Sequence, residues 1–399
     1  MNLDFTPEEQ AFRDEVRTFL AAELPDDIRT AVADRTDLTK EQIVRWQRIL
    51  NARGWAVPKW QPEHGGCGWT PAQKYIFQEE LSLARAPEEF SFNVAMIGPI
   101  LQRFGTDAQK AKFLAPTANL DIWWCQGFSE PGSGSDLASL KTSAVRDGDD
   151  YVVNGQKIWT TLAQHADWIF ALVRTDPKAP KPQMGISFLL IDMTSPGITV
   201  RPIRTIDDHH EVNEVFFDDV RVPAENLIGT ENRGWDYAKH LLGNERSGIA
   251  RIGLSKERLR WARDTAAEMA ADGRLTPREH DRLLRDLVEA EIDLKALELT
   301  QLRVVAADSG HGGEGAGAAA SILKVKGTEV QQRMTEIMMT LAGPAGLALP
   351  DGGHGRNEAV EDRWLSAAAP YYFTMRKVSI YGGSNEIQRN IVAKTVLGL

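Results

Sequence analysis

The spacing of apolar residues changes twice along this chain, and the two changes divide it into three stretches with different permitted folds. Over residues 6–120 apolar side chains recur at three and four, as at Phe12, Val16, Phe19 and Leu20, and again over 43–49 and 75–83. That period places them on one face of a helix. Thr106-Asp107, ahead of an amphipathic run to Leu114, reads as a capped helix start, while Gly65-Gly66-Cys67-Gly68 and Pro99 read as turns. Across residues 123–222 the pattern gives way to short β-rich segments at 123–128, 151–159, 168–173, 186–191 and 215–222, separated by Asn154-Gly155 and by Pro and Asp clusters. From Trp235 the helical period returns, and the glycine-rich stretches 309–317 and 343–355 predict connecting loops. The expectation is an α+β chain: an N-terminal helical domain over 1–120, a central antiparallel β domain over 121–232 and a C-terminal helical domain over 233–399.

Composition removes several function classes. With 46 Lys plus Arg against 56 Asp plus Glu, the net charge of -10 repels polyphosphate and predicts no nucleic-acid partner. Residues 1–20 mix acidic and basic side chains, which predicts neither a signal peptide nor membrane insertion. Cys67 and Cys125 are the only cysteines, too few for a zinc cluster by themselves or for a secreted disulfide scaffold, so a cytoplasmic location is expected. At 399 residues, 42% of them apolar, the chain can bury a large core.

The densest chemical signal is Phe128-Ser129-Glu130-Pro131-Gly132-Ser133-Gly134-Ser135-Asp136-Leu137, a strand running into a tight loop of small residues. Small side chains let backbone amides approach a ligand closely. It is not a dinucleotide fingerprint, because a third glycine is missing and residues 142–153 look like strands rather than a helix. Taken alone, such a loop is more often a surface hairpin without chemistry. Further motifs accompany it: Pro62-Glu63-His64-Gly65-Gly66, then Asn154-Gly155-Gln156-Lys157-Ile158-Trp159-Thr160-Thr161, then the stretch 213–229 with Phe216, Phe217, Val222-Pro223 and Asn226, and finally Tyr381-Gly382-Gly383-Ser384-Asn385-Glu386-Ile387-Gln388-Arg389.

In that order and spacing the motifs resemble those of acyl-CoA dehydrogenases along essentially the whole chain. Within the family the chain resembles the large subunits of pimeloyl-CoA dehydrogenases, through Trp123-Trp124-Cys125-Gln126-Gly127-Phe128 and Leu242-Gly243-Asn244-Glu245-Arg246. The resemblance implies FAD-dependent α,β-dehydrogenation of an acyl-CoA to a trans-2-enoyl-CoA, as in fatty-acid β-oxidation, with electrons passed to an electron-transferring flavoprotein. Such chemistry needs a carboxylate base whose pKa is raised by desolvation. Many relatives carry it where this chain has Gly382, which has no side chain. Others carry it immediately before an Arg in the first long C-terminal helix, where Glu245-Arg246 stands here. The resemblance therefore assigns Glu245 as the base; without it, a Glu beside an Arg would ordinarily be an exposed ion pair. It also implies that Gln126, Phe128, Ser129, Trp159, Thr160 and Thr161 line the flavin ring, that Ser384 and Glu386 face the cofactor, and that Ser135, Arg246, Gly382 and Gly383 contact substrate. The Gly382 amide would stabilise the enolate-like oxygen.

Two departures bear on assembly. Homotetrameric relatives grip a neighbour's ADP moiety through an Arg followed by Phe-Gly and through a Gln-Ile-Leu-Gly-Gly loop. Here those regions read Ala270-Ala271-Asp272-Gly273-Arg274-Leu275-Thr276-Pro277-Arg278-Glu279 and Met339-Thr340-Leu341-Ala342-Gly343-Pro344-Ala345-Gly346. An unlike partner is expected, a smaller subunit of the same family that completes the site in a heterotetramer. The substrate has two readings, a medium dicarboxylyl-CoA such as pimeloyl-CoA or the thioester of a steroid side chain or alicyclic acid. An acyl-CoA oxidase and a base-free partner subunit are the competing functions. Arg85, Arg103 and Lys239 are cations that could meet a distal carboxylate, and each has an ordinary role as a solvated surface group.

Overall fold

The computed structural model describes residues 5–245, 250–308, 316–348 and 363–399. Two compact units interleave along the sequence. One comprises Met1–Thr39, Trp69–Glu88 and Arg246–Leu399; the other comprises Lys40–Gly68 and Glu89–Glu245.

The first unit is helical, with α1 (Pro7–Glu23), α2 (Asp26–Asp34), α4 (Pro71–Leu83), α8 (Ile252–Ala271), α9 (Pro277–Asp308), α10 (Ala316–Ala342), α11 (Arg363–Thr374) and α12 (Asn385–Val392). Phe12, Val16 and Leu20 face inward from α1 as their spacing predicts, and Thr6 opens the helix with a capping box to Glu9. Leu259, Ala262 and Ala266 of α8 meet Leu283, Leu287, Leu294 and Leu297 of α9 and Leu323, Val330 and Ile337 of α10 in one core. Charges are buried among these helices too. Glu79 accepts from Arg13 at 2.8 Å and from Tyr75 at 3.0 Å, and Lys256 bridges Glu79 to Glu298. Burying those carboxylates is tolerable because each meets a cation and a second donor.

The glycine-rich loops differ from expectation. Gly343–Leu347 forms a 3-10 turn continuing from α10, and α10 itself begins at Ala316. The rest of both stretches lies outside the described residues.

The second unit wraps α3 (Lys40–Arg53), α5 (Gly98–Phe104), α6 (Asp107–Ala118) and α7 (Gly234–Glu245) with a seven-stranded sheet. Its strands are β1 (Trp124–Gly127), β2 (Ser143–Asp147), β3 (Asp150–Thr161), β4 (Trp168–Arg174), β5 (Ile186–Asp192), β6 (Ile198–Ile203) and β7 (Val212–Pro223), in the order β1-β4-β2-β3-β7-β6 with β5 on β4. Most pairings are antiparallel, but β4 runs parallel to β1 and to the start of β2. Residues 169–173 of β4 and 186–191 of β5 are buried on both faces, which explains their unbroken apolar runs. Strand β6 lies outside the expected strands, since Arg201 and Pro202 break its pattern and none of its residues is fully buried.

Two punctuation marks act otherwise than as turns. Pro99 sits in the first turn of α5, where no N–H is needed, directly after a π-helical stretch, Phe92–Ile97. Asn154-Gly155 lies within β3 at a register shift; Gly155 has φ +147, and a Cβ there would come within 2.7 Å of the Thr142 backbone.

Removing one partner of the buried network in the helical unit strands the other charges. Glu79→Ala is expected to cost about 3 kcal/mol, read as a lowered urea midpoint. A loss no larger than that of an exposed pair, about 1 kcal/mol or less, contradicts this.

Candidate active site

The loop 128–137 is built on a carboxylate that the sequence reading passed over. Glu130 is buried and accepts from the backbone N–H of Lys141 at 2.6 Å and of Thr142 at 2.9 Å, and from Lys157 Nζ at 2.8 Å. Lys157, wholly buried on β3, also donates to the Phe128 carbonyl at 3.2 Å. Burial alone would raise the Glu130 carboxyl, but Lys157 and the Thr142 and Lys141 donors outweigh it and hold it below its ordinary range. Burial pushes the Lys157 ammonium down to about 8 against the pull of Glu130. The pair is ionised at neutral pH. Beyond it, Glu130 and Ser133 exchange backbone bonds of 2.8 and 3.0 Å, Ser133 Oγ donates to the Asp136 carbonyl, and Arg174 donates to the Ala138 and Leu140 carbonyls. Both ends of the loop are clamped while Gly132, Gly134 and Ser135 remain exposed.

The same pair couples the loop to β3. The Ile158 N–H donates to the Ser129 carbonyl at 2.9 Å, which sets Ser129 beside the next residue, Trp159. Between Lys157 and Thr160 the register of β3 on β7 shifts, and Trp159 takes φ +59. That conformation costs an L residue about 1 kcal/mol or more. A strand tryptophan is usually core, yet this indole is 57% exposed. Asn213 holds the turn beyond it, donating to the Thr160 carbonyl at 3.1 Å and to Gln164 at 2.6 Å.

Around this bulge two buried polar atoms have no partner among the described residues: Gln126 Nε2 on β1 and Thr160 Oγ1 on β3. A buried donor left unmade costs about 1–3 kcal/mol. A planar, hydrogen-bonding ring such as a flavin matches an exposed indole together with two orphaned polar groups. Phe128 is buried, edge-on to Phe170 and Phe188, so it supports this face from within; Ser129 and Thr161 are half-buried.

In the helical unit Gly382 and Gly383 have φ of +64 and +80, and both carbonyls accept from Gln388 Nε2, at 3.3 and 3.4 Å. A side chain at Gly382 would strain the backbone by about 1–2 kcal/mol. Ser384 caps α12 by accepting from the Ile387 N–H, and Glu386 is exposed in its first turn. Its carboxyl lies below its ordinary range, through backbone and Ser384 hydrogen bonds. Beneath the loop Ser321 meets Gln388 at 2.8 Å and Lys324 meets Asn385 at 2.9 Å, a buried polar support that the helical period of α10 concealed. Glu245 is the last residue of α7, but its side chain, and all of Arg246, lie outside the described residues. Of the cations considered for a distal carboxylate, Arg85 is taken by Glu257 at 2.8 Å and Lys239 by Asp236 at 3.0 Å. Arg103 shares a surface cavity with Lys59, Gln102 and His240.

Comparison with known proteins places these features. Three family models match in chain order: acyl-CoA dehydrogenase N-terminal domain over residues 6–121, middle domain over 125–220 and C-terminal domain over 232–397. The chain belongs to the acyl-CoA dehydrogenase family, a family of oxidoreductases that generally bind FAD. It is 37% identical over 396 residues to acyl-CoA dehydrogenase IpdE1 of Mycobacterium tuberculosis, covering 98% of this chain and 97% of that protein. Among solved structures it is similar to the Tcur3481-Tcur3483 steroid ACAD, with TM-score 0.85, 31% identity and coverage of 100% and 99% of the two chains. It is similar also to the ChsE4-ChsE5 complex from Mycobacterium tuberculosis, with TM-score 0.83, 31% identity and the same coverage.

The buried pair is the test of this geometry. Glu130→Gln is expected to destabilise the protein by about 3 kcal/mol, measured by denaturant melts. With its native pKa depressed, Glu130 stabilises the fold above the ordinary carboxylate pKa and loses that contribution as pH falls toward the native one. The variant should therefore show a flatter acid limb than the parent; an unchanged limb contradicts the assignment.

Proposed function

We propose that this chain is the base-bearing subunit of a heteromeric, FAD-dependent acyl-CoA dehydrogenase acting on a bulky steroid side-chain or alicyclic acyl-CoA. The observations that carry the flavin assignment are the exposed, strained Trp159 and the unpartnered buried groups Thr160 Oγ1, next to it on β3, and Gln126 Nε2 on β1. Gln126, Phe128, Ser129, Trp159, Thr160 and Thr161 would hold the flavin ring. FAD, when bound, supplies the two-electron acceptor for the β hydride. Glu245 takes the α proton as the double bond forms, and the Gly382 N–H donates to the thioester oxygen, whose charge rises as the proton leaves. Trp159 excludes water, Ser135 and Arg246 meet the CoA arm, Gly383 meets the substrate, and Ser384 and Glu386 face the cofactor. The three segments 1–120, 121–232 and 233–399 are taken as the domains.

Assignment of the base to Glu245 rests on Gly382, whose positive φ favours glycine and whose missing side chain leaves that position without a carboxylate. The heteromeric reading is supported by the two altered ADP-binding regions: one is the turn from α8 into the Thr276 cap of α9, the other the 3-10 turn after α10. Two structurally similar proteins carry paired names, and one of them is a steroid ACAD. That likeness favours a ring-bearing acyl group over pimeloyl-CoA. Electron-transferring flavoprotein is the proposed acceptor.

Glu245→Gln is expected to lower turnover of the assembled enzyme by at least about a thousandfold while FAD stays bound, and Gly382→Glu in that background to restore part of it. Bleaching of the flavin by a panel of steroid, alicyclic and pimeloyl CoA thioesters under anaerobic conditions identifies the substrate. Turnover retained by Glu245→Gln overturns the base assignment. A purified single chain with one FAD per subunit and full activity overturns the heteromer, and rapid peroxide formation in air would favour an oxidase.

A further inference from the structure

Arg35 closes α2 in the helical unit and is only 8% exposed, with its guanidinium stacked 3.7 Å over the Trp261 ring of α8. Its Nη1 donates to the Ala33 carbonyl at 3.0 Å, whereas Nε and Nη2 have no partner among the described residues. Those two nitrogens form the edge of a guanidinium that grips two oxygens at once. Arg17 of the same unit uses that edge in the ordinary way, donating from Nε and Nη2 to the two Glu80 oxygens at 2.9 and 3.0 Å. The backbone of Arg35 is unfavourable as well. It takes φ +60, a left-handed conformation that glycine adopts freely and that costs another L residue about 1 kcal/mol. An arginine is a destabilising way to end α2 unless its side chain has a task.

The neighbouring charges do not balance it. Arg258, one turn before Trp261 on α8, is also 8% exposed, and its Nε likewise has no partner among the described residues. Glu257 is the one carboxylate among the groups acting on Arg35, and both its oxygens are taken, Oε1 by Arg85 at 2.8 Å and Oε2 by Arg258 at 3.0 Å. Three guanidiniums thus share one carboxylate. Burial, with Arg258 close by, pushes the Arg35 guanidinium down to about 9, so it is still charged at neutral pH. Buried positive charge in excess, with three N–H groups unmade, is costly, and a small anion carrying two or more oxygens offsets both defects.

We propose that Arg35 and Arg258 bind a small free oxoanion of the phosphate or carboxylate type, with Arg35 Nε and Nη2 gripping two of its oxygens and the Arg258 charge beside it. The burial of both arginines favours a free ion over a phosphate carried on a nucleotide or a peptide. The anion would tie the end of α2 to α8 and stabilise the helical unit. No residue of this site has a part in the flavin or thioester chemistry, so the proposal stands apart from the catalytic reading.

Thermal melting of the FAD-loaded protein, with any subunit that co-purifies, tests it. The protein is dialysed free of phosphate and titrated with inorganic phosphate while a bulky sulfonate holds the ionic strength. The parent's melting temperature should rise by about 3 °C or more and saturate. Arg35→Met, which keeps an unbranched side chain over Trp261, should lose most of that rise. Arg35→Lys, which keeps the charge but not the two-pronged edge, should bind phosphate at least about tenfold more weakly. Acetate in a parallel titration separates the two sources: saturation at lower concentration than phosphate identifies a carboxylate as the preferred ligand. A parent that responds to neither anion, or an Arg35→Met variant that responds as the parent does, overturns the proposal.

Discussion

A carboxylate and an ammonium taken out of water together must satisfy each other and their remaining hydrogen bonds, and Glu130 with Lys157 does so at the point where loop and strand meet. Two backbone amides and one carbonyl complete the arrangement. The loop 128–137 has many small residues and few side chains able to pack, so its conformation is held from below by this pair and by Arg174. Its small residues are then free to remain exposed.

The strain at Trp159 follows from the same anchoring. With Lys157 fixed inward and Thr160 held by Asn213, the residues between must absorb the register shift on β7, and Trp159 does so with a positive φ. Strained, exposed aromatic residues beside orphaned hydrogen-bonding groups are costly unless a ligand repays them, which is why the geometry points to a bound planar ring rather than to core packing. The C-terminal loop is built by a comparable device: Gln388, Asn385, Lys324 and Ser321 hold two left-handed glycines from beneath.

Much of this was legible in the sequence, in a graded way. The helical and strand periods gave α1, α3, α4, α6 and strands β1, β3, β4, β5 and β7, because each buries one face or both. Strand β6 escaped, being a partly exposed edge whose alternation Arg201 and Pro202 cut short, and Pro99 misled because a proline that ends one helix can equally open the next. The family motifs singled out Trp159 and Thr160, the residues of the proposed flavin face. They did not reveal why those residues are held there, since Glu130 and Lys157 read as ordinary charges until their burial is known.

The hydroxyl of Thr160 is the most economical probe of the central claim. It is buried and has no partner among the described residues, so Thr160→Val should leave the melting temperature of the FAD-free protein unchanged or raise it. If the face around Trp159 seats the flavin, the same substitution should weaken FAD binding about fivefold, the value of one hydrogen bond, in an equilibrium titration. FAD affinity equal to that of the parent would contradict the account.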